Sequence, residues 1–132
     1  MAKSIVSRFL GRTGIAALCA AVFTGAGFGI DLQIENNQCP DSFTITAING
    51  TPNATVAIVW AQFPGLFIVP YGPCTGTPLG LDPGTITLVQ TFSLDGNGFG
   101  YVDFTNVPPI ACRGFVQLLD LGNCATSTVQ TF

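Results

Sequence analysis

The chain has 132 residues, enough for one domain, and carries four basic residues, seven acidic residues and no histidine. Three of the four basic residues lie in the first twelve positions, so everything beyond them holds one arginine against seven acids, a net charge of −6. A surface of that kind has nothing to neutralise phosphates with, which excludes nucleic acid and an anionic membrane surface as partners.

The N-terminus has the layout of a secretory leader. Lys3, Arg8 and Arg12 form a basic start, and residues 13–30 are uncharged. The stretch from Ile15 to Phe23 is densely apolar, and small residues follow at Thr24, Gly25, Ala26 and Gly27. A peptidase that needs small side chains at −3 and −1 would cut after Ala26 or after Gly29. Cys19 sits where a lipoprotein cysteine would, but Leu18 before it is too large for that cleavage. The competing reading is a retained anchor, for which an uncharged run of 18 residues is the bare minimum. The expected division is a leader over 1–29 and a single domain over 30–132.

Beyond the leader no segment carries a helical period. Short runs of period two alternate with turn residues, the pattern of an all-β fold. Ile30, Leu32 and Ile34 alternate with Asp31, Gln33 and Glu35. Phe43, Ile45 and Ala47 alternate with Thr44 and Thr46, and Asn49 to Asn53 form a turn cluster. Thr55 to Ala61 is apolar on both faces, as a central strand requires, and Trp60 within it is expected in the core. Pro64-Gly65 reads as a turn before a short strand from Leu66 to Val69. Pro70 to Gly84 holds four prolines and four glycines and is expected to be loop. Thr85 to Leu94 and Phe99 to Asn106 flank Asp95-Gly96-Asn97-Gly98, a strong hairpin signal. Phe115 to Leu121 is a strongly apolar strand, and Thr126 to Phe132 is the last. Seven or eight strands in about 100 residues predict a two-sheet sandwich.

Four cysteines follow the leader: Cys39, Cys74, Cys112 and Cys124. An even count in a short exported chain reads as two disulfides. A zinc site would need close cysteine pairs or histidines, and neither exists. Cys112 and Cys124 bracket one strand, which holds them roughly 30 Å apart. A disulfide needs Cα atoms within about 7 Å, so these two are not expected to pair.

The order Phe43-Thr-Ile-Thr, a proline-containing turn, then Ala54-Thr-Val-Ala-Ile-Val-Trp60 resembles the second and third strands of secreted bacterial immunoglobulin-like (fibronectin-III-like) β-sandwich domains. Ser93-Leu-Asp-Gly-Asn-Gly-Phe-Gly-Tyr-Val-Asp-Phe104 resembles their hairpin, and the resemblance covers residues 40–132. Leu66 to Asp82 departs from the family pattern as an insertion. The resemblance implies an immunoglobulin-like sandwich and an extracellular, adhesive or spacer role, without a chemistry. It also implies that the strands after Cys39 and Cys112 run the same way, which places those cysteines at one end. The implied pairing is Cys39–Cys112 with Cys74–Cys124; the alternative is Cys39–Cys124 with Cys74–Cys112.

The chemistry available to such a domain is narrow. Without histidine there is no Ser–His or Cys–His pair, and no facial metal site built on imidazole. A carboxylate pair would have to come from Asp31, Glu35, Asp41, Asp82, Asp95, Asp103 and Asp120, most of which are expected to be solvated acids at turns or outward strand positions. The expectation is a non-enzyme with no cofactor and no metal. No lysine follows the leader, which also rules out lysine-based amide cross-links between mature subunits. Asp95 to Gly98 lacks the oxygen ligands of a calcium loop, since Phe99 and Tyr101 fill the later places. Asn49 and Asn53 stand in glycosylation sequons but are read as turn residues. About 100 residues with disulfides are too few for a membrane barrel. Tyr71, in the proline-glycine loop, is the expected contact residue for a ligand.

One absence points to a function. Sandwiches protect edge strands with lysines, inward charges or prolines. The strands at 30–35, 85–94 and 126–132 carry few or no charges and no lysine. Such edges make sense in a secreted subunit that forms a homopolymer by strand addition, as in an extracellular filament, sheath or matrix. Ile30, Leu32 and Ile34 would serve as an assembly strand directly after the cleavage point. The alternative is a module that binds a glycan or a surface protein.

Overall fold

The computed structural model describes residues 29–132. The expected leader, Cys19 and the cleavage position after Ala26 lie outside the described residues. Nine strands and one 3-10 turn make up the described chain: β1 (Asp31–Gln38), β2 (Ser42–Ile48), β3 (Thr55–Ala61), β4 (Pro64–Ile68), β5 (Pro78–Leu81), β6 (Thr87–Ser93), β7 (Gly100–Thr105), the turn Pro109–Arg113, β8 (Phe115–Asp120) and β9 (Gln130–Thr131). They form a four-stranded sheet in the order β9-β8-β3-β6, a three-stranded sheet β1-β2-β7 and a two-stranded ribbon β4-β5.

Period-two alternation decides how these layers stack. Phe43, Ile45 and Ala47 of β2 face Val56 and Ile58 of β3 and Val116 and Leu118 of β8. Ile30, Leu32 and Leu94 complete this core between the two larger sheets. Each of the Phe, Ile, Leu and Val side chains in it, fully withdrawn from water, contributes about 1.5–3 kcal/mol. The other face of β3 is also apolar and also covered. Ala57, Val59 and Ala61 join Leu119 of β8 and Leu79 and Leu81 of β5 in a second core. The two-faced apolar pattern of β3 therefore reflects both its central position and a third layer, the β4-β5 ribbon, over its outer face.

The ribbon corrects two expectations. Pro64-Gly65 begins β4 rather than turning the chain, and Pro78–Leu81 is a strand inside the segment expected to be loop. Pro78 opens its strand, where a missing N–H costs least. Leu79 and Leu81 are buried in the second core, while the Gly80 N–H donates to the Gln117 Oε1 at 2.9 Å. Gln117 is itself buried, and its Nε2 donates to the Ser127 carbonyl at 2.8 Å. One side chain thus ties the ribbon, β8 and the C-terminal segment. The last strand is shorter than expected: only Gln130 and Thr131 pair regularly with β8, and Thr126 makes an isolated bridge to Leu119.

The disulfides join Cys39 to Cys112 and Cys74 to Cys124, with Cα separations of 5.9 and 5.4 Å. This is the pairing that the resemblance implies. The first clamps the β1–β2 connection to the turn before β8. The second holds the loop between β4 and β5 to the turn after β8. Two such bridges mark a chain suited to an oxidising compartment. No helix among the described residues is long and apolar enough to cross a membrane.

Close approach requires glycine at position 114. A Cβ added there would run into the Trp60 indole ring. Trp60 is half-buried rather than fully in the core, and its Nε1 donates to the Ala111 carbonyl at 3.0 Å. Gly114→Ala is expected to displace the indole and break that bond, at a cost of about 1–3 kcal/mol. Trp60 is the one tryptophan, so a red-shifted emission spectrum and a lowered melting temperature check the outcome directly.

Candidate functional site

The acidic residues mostly serve the fold. The Asp31 carboxylate accepts from Asn49 Nδ2 at 2.7 Å, Glu35 from the Thr46 hydroxyl at 3.0 Å, and Asp103 from the Thr44 hydroxyl at 2.6 Å. Asp82 accepts from the Thr85 hydroxyl at 3.0 Å. Asp95 Oδ1 accepts from the N–H groups of Asn97 and Phe99, closing its own hairpin turn. At that turn Gly98 adopts φ +75° and its Cα lies against the Gly50 backbone, so both the conformation and the space demand glycine. Among the described residues, no group of three or more histidine, cysteine or acidic side chains is placed to hold a metal ion.

Asp120 departs from expectation. Instead of a solvated acid it is 0% exposed, at the end of β8. One carboxylate oxygen accepts from the Thr51 N–H at 2.7 Å and the other from the Gly122 N–H at 2.8 Å. It fastens the turn between β2 and β3 to the turn after β8. Nothing in the alternation separates this aspartate from a solvated one. The signal is its register opposite Val56, a core residue, and that register is a tertiary fact.

Among the described residues, the three strands expected at edges are all edges. β1 borders the three-stranded sheet, and β6 and β9 border the four-stranded one. β7 is a fourth edge, with Asp103 and Tyr101 on its exposed positions. β1 pairs with β2 from Asp31↔Ile48 to Glu35↔Thr44, so its expected assembly residues lie within the chain's own fold: Ile30 and Leu32 are buried and Ile34 is half-buried. The Gln130 Nε2 donates to the Leu32 carbonyl at 2.6 Å and closes part of that edge.

β6 is the barest edge. Its sequence, Thr-Leu-Val-Gln-Thr-Phe-Ser, has no charge and no proline, and six of its seven residues are exposed. Among the described residues it pairs with β3 on one side only. A register shift between Ile58 and Val59 marks a bulge that takes in Val89. The extra residue reverses the facing of side chains along the strand. Thr87 and Val89 turn toward the space between the sheets, and Leu88 turns toward the β4-β5 ribbon. The bulge partly blunts the edge of β6.

Beside this edge an apolar cavity of about 280 Å³ opens between the sheets. Its walls include Phe43, Ile58, Trp60, Val89, Phe104 and Phe132. Phe43 stacks on Phe104 at 5.1 Å and meets Phe132 edge-on at 4.7 Å. On the other side of β6 a groove of about 440 Å³ runs along the ribbon, lined by Phe67, Pro70, Tyr71 and Leu88 among others. Tyr71 is 81% exposed there, as its place in the loop predicts, and Leu66, Ile68 and Leu88 are exposed as well. Thus β6 lies between two apolar depressions. No protein-family model, curated protein or solved structure matches this chain.

Proposed function

We propose that the chain is a non-enzymatic, secreted structural protein, a subunit of an extracellular filament, sheath or matrix that assembles through β-strand edges. The observation that carries this reading is β6: an uncharged, exposed strand whose outer side has no paired strand among the described residues, flanked by apolar depressions on both faces. Its backbone groups offer a ladder to another strand, and alternate side chains of that strand would meet apolar walls. The oxidising-compartment disulfides and the leader-like N-terminus agree with a place outside the cell. Strand order supports the immunoglobulin-like reading of the sandwich. The second strand pairs with the seventh, and the third with the eighth, which are crossovers of Greek-key type.

Placing lysines on this edge tests the reading. Leu88→Lys with Gln90→Lys alters exposed positions only and is expected to leave the melting temperature within a few degrees. Self-association, followed by light scattering against concentration, is expected to need about tenfold more protein, because lysine on an edge opposes strand pairing. Unchanged association would remove β6 from the proposal.

Tyr71 favours a second reading, a binding module for a glycan or a surface protein. Its ring is exposed at the rim of the ribbon groove. Tyr71→Ala is expected to abolish binding on a glycan array or to a surface-protein ligand under this reading, and to leave self-association unchanged under the first.

A further inference from the structure

We propose that β1 is an exchangeable strand: β1 of one copy leaves its place and fills the same place in a second copy, and this exchange links subunits. The inference rests on the self-association reading above. It names the partner, a second copy of this chain, and the site, the slot that β1 fills beside β2.

Four observations carry it. First, β1 is the first element of the described chain, and the single connection Cys39–Asp41 joins it to β2. That short link is the pivot about which β1 would move. Second, neither disulfide uses a residue of β1. Cys39 follows it directly and is held to Cys112, so the remainder of the domain stays stapled and the pivot of β1 stays fixed. Third, the outer side of β1 has no paired strand among the described residues. Six of its eight residues are exposed, and its ladder to β2 is regular only from Asp31 to Glu35, with Asn36 at φ +51° where the pairing shifts. Side-chain ties come from Asn49 to Asp31, from Thr46 to Glu35 and from Gln130 to the Leu32 carbonyl.

Fourth, the slot already fits its occupant. Ile30 is 2% exposed and Leu32 3%, both packed in the main core. A second copy's strand would re-form the same ladder, the same three ties and the same apolar contacts. Exchange therefore costs no native contact beyond the connection, and concentration sets its extent. Ile30 to Gln38 in extended form spans about 30 Å, enough to bridge two neighbouring domains. Two copies that exchange reciprocally close into a dimer, whereas head-to-tail exchange continues as an open chain. The distinction from β6 is concrete: addition at β6 leaves β1 at home, and exchange moves it.

Positions 35 and 44 are register partners, so cysteines there lie within disulfide reach. The full-length chain is made with Glu35→Cys in one copy and Thr44→Cys in another, and the two are co-secreted from one host. The expected result is a linkage between positions 35 and 44 of different copies, identified by mass spectrometry of the digested oligomer. When both substitutions are placed in one chain, the bond locks β1 at home, and association is expected to fall about tenfold or more. Linkage between copies in dimers alone would support exchange while removing the filament. Filaments without that linkage, which also persist in the locked chain, would overturn exchange and leave the self-association reading standing. No association and no linkage would overturn both.

Discussion

Asp120→Ala is expected to lower the unfolding free energy by about 3 kcal/mol. The side chain is wholly buried and both carboxylate oxygens are engaged by backbone donors, Thr51 N–H and Gly122 N–H. Alanine leaves the half-buried Thr51 N–H without its acceptor, and a donor left unmet away from water costs about 1–3 kcal/mol before the lost packing is added. The more searching variant is Asp120→Asn. An amide keeps the shape and one acceptor, but its NH₂ must face one of the two N–H groups. Asparagine is therefore expected to recover little, leaving a deficit of about 2 kcal/mol. Chemical denaturation of both variants checks this. Full recovery by asparagine would mean that shape, rather than the double acceptor, is what the site requires.

Removing the Cys39–Cys112 bridge is expected to cost still more. The bridge spans 73 residues, and closing a loop of that length restricts the unfolded chain by about 4 kcal/mol in the chain-entropy account. A domain of this size has about 5–15 kcal/mol in total, so Cys39→Ser with Cys112→Ser should leave a marginal fold. The bridge also fixes the pivot of β1, tying the end of the first strand to the turn that precedes β8. Its loss should therefore expose the β1 amides to hydrogen exchange sooner than those of β3 and β8. A loss under 1 kcal/mol, or uniform exchange across the sheets, would contradict this placement.

Much of the fold was legible in the residues because strands announce themselves by period and turns by composition. The alternation of Ile30 to Glu35 and of Phe43 to Ala47 matches two paired strands, and Asp95 to Gly98 matches the turn that starts β7. The apolar character of Thr55 to Ala61 on both faces signalled a central strand, and β3 has neighbours on both sides. The proline-rich segment is where local composition misleads. Local composition favours loop over residues 70–84, but burial of Leu79 and Leu81 against β3 and β8 overrides it, and that burial depends on partners distant in sequence. Asp120 shows the same limit: its chemistry looks like that of any acid near a turn until β3 is laid beside it. The bulge in β6 was invisible as well, because Thr87 to Ser93 alone does not say which side chains face the core.

Electron microscopy of the native secreted material, paired with light scattering of the purified protein over a wide concentration range, tests the central claim most directly. Ordered filaments or sheets that dissolve on dilution, and that the Leu88→Lys/Gln90→Lys variant forms only at about tenfold higher concentration, are the predicted result. A protein that stays monomeric at the highest attainable concentration, with no ordered assemblies in the native material, would contradict the account.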